Sequence, residues 1–516
     1  MGRLRLMVAL VVFAGSVFGG TRPGTAQTNA PPVPASAQAK APPDEELLRR
    51  LRELEEKVQY LQQKLEEREA RDSAQSPAPK VDEQVRQLDQ KVRVLEREKE
   101  IDEEAAAAKS KETPVLTWKD GFTLKTPDDR YQLKIGGWIL YDVAFFNEDD
   151  SLKQAVGDEQ DGTGFRSVRL RLSGSVYDNV EYQLEVDFAG ENGADTPAFF
   201  DTYVQLKDIP SLGGNKGQLR LGHFREPFGL EELTSLPKLT FVERALSNVF
   251  VPDRNPGIQW SDALLGEAKQ ERLTYAVGVF KTADSWPSSN DSDEDQGYNI
   301  TARVTGLPWY QYNGERLLHL GAAYSHRTPD GAILGWNARP ETRLSLFRYA
   351  VADTTTPLFR LRDARAEEVN LYNLEAALVY GPFSVQGEYT VADVATTFDG
   401  DHTFDGYYAQ ASYLLTGEHR TYRNATGVFD RVKPKKNFGW RPGDGWGAWE
   451  VAARYSRVNL TDGAIRGGKQ DAITAGLNWY LNPNTRLALD YIYNDIEHDL
   501  YEGNLEVLQL RFFVDF

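Results

Sequence analysis

The sequence predicts an all-β fold: a 16-stranded antiparallel transmembrane β-barrel, preceded by an N-terminal α-helical coiled coil. Three observations carry this expectation. Beyond about residue 115, segments of about ten residues alternate apolar with polar or charged side chains, as a wall with lipid outside and water inside requires. Aromatics are plentiful (24 Tyr, 24 Phe, 10 Trp) and Met is nearly absent, which suits strands and interfacial girdles better than a helical core. After the first residues no stretch reaches the roughly 18 apolar residues of a membrane-spanning helix, so any crossing must be made by strands.

Composition narrows the function classes. The absence of cysteine rules out structural disulfides, thiolate metal sites and a lipidated N-terminal Cys. A net charge of −18 argues against a nucleic-acid binder, which normally shows a basic stripe. The six His residues are scattered, with no HExxH arrangement, and neither a Gly-x-Ser-x-Gly elbow nor a phosphate-cradling P-loop occurs. The expectation is therefore no enzyme, no metal and no cofactor.

Taken in order, residues 1–26 read as a secretory signal peptide. Arg3 and Arg5 precede the apolar run Leu6 to Phe18, and Gly24-Thr25-Ala26 offers small residues for cleavage. Residues 27–43 are Pro- and Ala-rich, a semi-rigid linker. Leu47, Leu51, Leu54, Val58, Leu61 and Leu65 follow at alternating spacings of four and three, and Val81, Val85, Leu88, Val92 and Leu95 resume the pattern after a break at Ser73 to Pro79. This is a coiled-coil stripe over 44–104, expected in the periplasm. A linker over 105–130 leads into a barrel over 131–516.

Strands are expected near 131–146, 165–176, 180–188, 198–207, 217–225, 256–262, 271–281, 297–305, 316–325, 369–380, 382–392, 405–416, 446–458, 469–481, 485–495 and 505–516. An even number brings both ends of the barrel to one side. Tight turns at Tyr177-Asp178-Asn179, Gly381-Pro382 and Asn482-Pro483-Asn484 then share the side of the termini. Long polar segments at 147–164, 283–296, 326–368, 393–404 and 496–504 lie opposite. The acids of the first two are expected to form a solvated rim. Glu341 to Tyr349 reads equally as loop or strand, and Gly417 to Gly445 as an unusually long turn. A soluble sandwich would bury the apolar faces together, but too many of the opposite faces carry charge.

One connection is too long for a hairpin turn. Residues 226–255 carry Lys238, Arg244 and Arg254, with Arg225 at the entry, beside Glu231, Glu243 and Asp253. A long, charged, semi-apolar connection in a strand-rich chain is usually functional, and this one is expected to fold into the barrel and narrow the pore. Inward-facing Arg169, Arg171 and Arg220 extend the basic set. Glu185, Asp187, Asp201 and Glu231 are the expected counter-charges. Guanidinium groups are the favoured bidentate partners of phosphate oxygens, and opposed charge rows select ions without chemistry.

Several pieces together resemble the phosphate-selective porin O and P family: Gly222-His223-Phe224-Arg225-Glu226-Pro227-Phe228-Gly229-Leu230-Glu231, Phe241-Val242-Glu243-Arg244-Ala245-Leu246, Pro252-Asp253-Arg254-Asn255-Pro256-Gly257, Leu415-Thr416-Gly417-Glu418, Gly447-Ala448-Trp449-Glu450 and Gly476-Leu477-Asn478-Trp479-Tyr480-Leu481-Asn482-Pro483. The resemblance implies a trimeric outer-membrane channel with an inward-folded loop and anion sites lined by arginine and lysine. Outer-membrane lipid and lipopolysaccharide, small inorganic ions and peptidoglycan are the implied partners. Phosphate or polyphosphate is the first expected solute. A general or cation-tolerant porin, its coiled coil tethering it to the cell wall, stands as the alternative, because inward acids nearly match inward bases.

Overall fold

The computed structural model describes residues 43–69, 79–110, 114–118, 121–189, 197–211, 215–266, 270–282, 297–329, 335–345, 347, 350–353, 366–396, 400–463 and 465–516. They fall in two compact units divided after Ala108. The expected signal peptide lies outside these residues, as does the Pro/Ala-rich linker but for its last residue.

The first unit contains helices α1 (Pro43–Glu69) and α2 (Pro79–Ser110). Both are rich in Leu, Glu, Gln, Lys and Arg, residues that lose little rotamer freedom in a helix. Leu54, Val58, Leu61 and Leu65 on α1, and Val85, Leu88, Val92 and Leu95 on α2, are half-buried, while the residues between them are exposed. Helix α2 runs on past the last heptad position through Ala105–Ala108, into the expected linker, because alanine is the best intrinsic helix former.

The second unit is a closed antiparallel barrel. Its strands are β1 (Tyr131–Glu148), β2 (Gly162–Val176), β3 (Val180–Asp187), β4 (Thr202–Pro210), β5 (Lys216–Arg225), β6 (Arg254–Leu264), β7 (Leu273–Lys281) and β8 (Tyr298–Gln311). They continue with β9 (Arg316–Arg327), β10 (Ala366–Tyr380), β11 (Phe383–Thr396), β12 (Gly400–Leu414), β13 (Ala448–Asp462), β14 (Ile465–Asn482), β15 (Thr485–His498) and β16 (Tyr501–Asp515). Each pairs with its neighbour in sequence, and β16 returns to β1 from Leu505 opposite Glu148 to Asp515 opposite Trp138. A short hairpin, Val115–Trp118 with Phe122–Lys125, extends the β1 edge below that closure.

Side chains divide by parity. On β16, Leu510 and Phe512 are exposed on the outer face, while Gln509, Arg511 and Phe513 are buried inside. On β14, Ile473 and Leu477 face outward and Thr474 and Asn478 inward. Register shifts break the alternation in several strands, and two of them matter here. In β2 the register against β1 slips between Leu140 and Tyr141, so Arg166 has no partner in the ladder. In β8 the register against β9 slips between Gly306 and Trp309, which lets Pro308 sit in a strand and carries that strand past the expected end at 305.

The long outer segments differ from expectation in three ways. Those at 393–404 and 496–504 are largely strand, so β11, β12, β15 and β16 run well past the roughly ten residues a membrane needs. The 147–164 loop is not a simple acidic rim. Glu148 and Glu159 are buried: Glu148 accepts the Glu159 backbone N–H at 3.0 Å, and Glu159 accepts the Ser345 hydroxyl. The β9–β10 segment turns inward: Trp336 and Ala338 pack with Phe250 and Phe404, and Glu341 is buried against Arg454. Its residues 341–345 are bends rather than strand. The acids at 284–295 lie outside the described residues.

Candidate functional site

The β5–β6 loop (226–253) fills much of the lumen, as its length predicts. Its apolar side chains reach three separate stretches of wall. Phe228, Leu246 and Phe250 pack on one side with Phe404, Val458 and Ile492. Leu236, Leu239 and Val242 meet Trp138, Leu140, Ala488 and Phe513. Leu230 packs with Leu307, Leu317, Ala377 and Val379.

Polar tethers fix the loop backbone to the same strands. Glu388 on β11 accepts the backbone N–H groups of Leu230 at 2.9 Å and Glu231 at 2.7 Å, and also the Tyr408 hydroxyl at 2.7 Å. Gly229 makes this possible. Its φ of +72° suits glycine, and a Cβ there would stand 3.0 Å from the Glu388 carboxylate. Asp490 on β15 accepts Val242 N–H at 2.8 Å, and Asn478 on β14 donates to the Thr240 carbonyl at 2.8 Å. Arg511 on β16 is fully buried and bonds Asp142, Glu243 and the Val242 carbonyl. The loop is therefore joined to β8–β16 and β1.

On the remaining side, against β2–β6, a cavity of about 200 Å³ is left. Seven arginines line it: Arg166, Arg169, Arg225, Arg244, Arg254, Arg339 and Arg343, against only Asp142, Asp187 and Asp253. Carboxylates that do not line the cavity hold several of these in place. Arg169 pairs with Glu185 at 2.7 Å as well as Asp187 at 3.0 Å, and Arg254 with Asp201 at 2.8 Å. Arg225 and Arg244 share Glu232 at 2.7 and 3.1 Å, and Arg166 pairs with Glu243 at 2.6 Å. Phe200 lies under both Arg169 and Arg254, 3.7 and 4.6 Å from ring to guanidinium. Such pairing and stacking fix the direction of each fork, as bidentate anion recognition requires.

The loop charges record the field. Burial would raise the Asp253 carboxyl, yet Arg254, Arg225 and Arg244 hold it below its ordinary range. The neighbouring Arg166, together with burial, pushes the Arg343 guanidinium down to about 10. A strongly positive cavity disfavours one more proton and favours an anion for the same reason.

Of the residues expected from sequence, Arg169, Arg225, Arg244 and Arg254 line this cavity and Arg171, Arg220 and Lys238 do not. Arg171 pairs with Glu185 at 2.7 Å. Arg220 bonds Gln205 at 2.9 Å and lies over Tyr203. Lys238 lies with Arg420, Arg431 and Arg486 around a separate, smaller basic cavity and pairs with Asp430 at 2.6 Å. The four expected counter-charges are all engaged: Glu185, Asp187 and Asp201 as above, and Glu231 with Arg454 at 3.3 Å.

Three of the lining arginines were not expected. Arg166 lies on the even, outward parity of β2 and turns inward only through the bulge. Arg339 and Arg343 come from the β9–β10 segment. Its length, the signal that singled out the β5–β6 loop, was the signal available for them.

Comparison with known proteins places this architecture. The profile of phosphate-selective porin O and P matches residues 133–516. The chain belongs to that family. Porin O of Pseudomonas aeruginosa is 27% identical over 405 residues, covering 73% of this chain and 86% of that protein. An uncharacterized protein of Caulobacter vibrioides is 29% identical over 388 residues, 73% of this chain and 71% of its own. Among solved structures, the outer membrane channel DcaP of Acinetobacter baumannii aligns with a TM-score of 0.47 and 11% identity, over 75% of this chain and 97% of that one. An anion-selective porin from Comamonas acidovorans aligns at 0.44 and 16%, over 75% and 100%. As a member of the porin O and P family, the chain is an outer-membrane β-barrel porin.

Proposed function

We propose that the channel passes small inorganic anions, phosphate or polyphosphate among them, along the arginine-lined side of the lumen between the β5–β6 loop and strands β2–β6. The observation that carries this is the excess of seven arginines over three aspartates around one cavity. Arg169, Arg225, Arg244 and Arg254, with Arg166, Arg339 and Arg343, are the anion-binding set. Arg171, Arg220 and Lys238 extend the basic path on either side of it. Planar-bilayer recording under chloride, phosphate and potassium gradients tests the reading. A reversal potential of the sign for anion permeation is expected, and one of the opposite sign would sink it.

Burial, reinforced by Arg423, pushes Lys238 down to about 8 even though Asp430 opposes the shift. Raising the pH from about 7 to about 9 therefore removes this positive charge from the path, while the arginines keep theirs. Anion-over-cation preference is expected to fall on the order of twofold across that window, and Lys238→Met to abolish the step. A pH-independent reversal potential in the wild type would exclude Lys238 from the permeation path.

The half-buried stripes on α1 and α2 support a self-associating periplasmic coiled coil, matched to a homotrimeric barrel and able to reach the cell wall. A 43–110 fragment is expected to sediment as an oligomer, and a strictly monomeric fragment would remove the idea. Pull-down on isolated peptidoglycan tests the tether separately.

A further inference from the structure

Four of the chain's ten tryptophans meet on the outside of the barrel, at the end that carries both barrel termini. Trp449 and Trp479 are direct cross-strand partners on the outer face of β13 and β14, with rings stacked at 5.1 Å. The segment entering β13 folds onto them. Phe438 donates its N–H to the Leu481 carbonyl at 2.7 Å and sets its ring edge-on to Trp479 and to Trp440, each at 4.9 Å. Trp479 Nε1 donates to the Trp446 carbonyl at 2.8 Å, and Gly445 N–H to the Asn437 carbonyl at 3.0 Å. The result is a fixed shelf rather than a loose turn. Yet Trp440 is 81% exposed and Trp446 76% exposed.

Two indoles held out of a packed shelf, beside a lipid-facing wall, match the boundary of a bilayer, where an apolar ring with one N–H is best accommodated. The charge of the same segment is as one-sided. Lys433, Lys435, Lys436 and Arg441 are exposed, and Asp444 is the single acid between 433 and 446, in a chain whose net charge is −18. Asp444 is turned to the Arg441 backbone N–H at 2.7 Å, and none of the four cations is within ion-pair distance of a carboxylate among the described residues. Other turns at this end also expose aromatics, Tyr177 beside Tyr131 and Tyr312 among them, but with one arginine over the ring rather than four cations.

We propose that this tryptophan–lysine shelf is a binding site for the headgroups of anionic phospholipids in the periplasmic leaflet. The short-turn end of such barrels faces the periplasm. Cations at a membrane surface attract anionic headgroups, and here the indoles fix the depth at which they do so. The site is on the outer wall, separate from the arginine cavity, so lipid binding and ion selectivity are independent.

The test is native mass spectrometry of the purified full-length protein in detergent with equimolar phosphatidylglycerol and phosphatidylcholine. Phosphatidylglycerol should be retained preferentially. The triple variant Lys435→Gln, Lys436→Gln, Arg441→Gln should lose roughly fivefold of that preference per cation removed. Its bilayer reversal potential should match the wild type, which also shows that the variant folds. A large excess of inorganic phosphate should leave the lipid bound. Brominated phosphatidylglycerol should quench tryptophan emission less in the Trp440→Phe, Trp446→Phe variant. Equal retention of the two lipids by the wild type, an unchanged preference in the triple variant, displacement by phosphate, or unchanged quenching would each overturn the proposal.

Discussion

Neutralising Arg339 and Arg343 together, as Arg339→Gln with Arg343→Gln, is expected to abolish most of the channel's anion preference while leaving the barrel folded. The pair is the informative choice because both residues line the cavity from the inward β9–β10 segment rather than from the strands of the barrel wall. Replacing Arg254 instead would take from Asp201 its 2.8 Å ion-pair partner and confound charge with stability. At an effective dielectric constant of about 20, a charge about 8 Å from a monovalent anion contributes about 2 kcal/mol, roughly thirtyfold in occupancy. Screening in the wet lumen lowers this, so an approximately tenfold fall in anion-over-cation permeability is expected for the double variant. Reversal potentials in a salt gradient measure it. A double variant with wild-type selectivity would mean that ions take a different path.

The second large effect concerns the seat of the constriction loop. Glu388→Ala removes the acceptor for the Leu230 and Glu231 amides and for the Tyr408 hydroxyl, all buried. Unsatisfied buried donors cost about 1–3 kcal/mol each, enough to detach this end of the loop from the wall. Single-channel conductance is expected to rise severalfold and become noisy, with selectivity reduced because Arg244 moves with the loop. Heat-modifiable electrophoretic migration should show the barrel itself intact, since its closure rests on the β16–β1 ladder. Quiet, wild-type conductance from this variant would show that the apolar anchors Leu230, Leu236 and Phe250 hold the loop without the carboxylate. Arg511 offers a graded comparison: it ties the same loop to β16 through Val242 and Glu243, just past its middle.

Much of the architecture is legible residue by residue. The alternation Leu508, Leu510, Phe512 against Gln509, Arg511 fixes which face of β16 meets lipid, because a period of two leaves no third choice. The count of sixteen follows from turns such as Asn482-Pro483-Asn484, whose proline has no N–H to give to a ladder. The length and charge of 226–253 single it out as a connection with work to do. What alternation cannot see is a bulge. Arg166 reads as lipid-facing until one extra residue in β2 rotates it into the lumen. Nor can it rank two long connections. The β9–β10 segment looks like a polar outer loop, yet Trp336 and Glu341 are buried in the barrel, and Glu341 meets an arginine more than a hundred residues away.

The sequence by itself determined the class of fold, the number and facing of the strands, the helical stripes and the presence of an inward loop. Each of these is set by local periodicity and turn chemistry within a few residues. Only the tertiary structure decided which cations share a cavity. That depends on closing a ring of sixteen strands so that Arg166, Arg254 and Arg343, from three distant stretches of chain, point at one volume, and no local pattern encodes such a convergence.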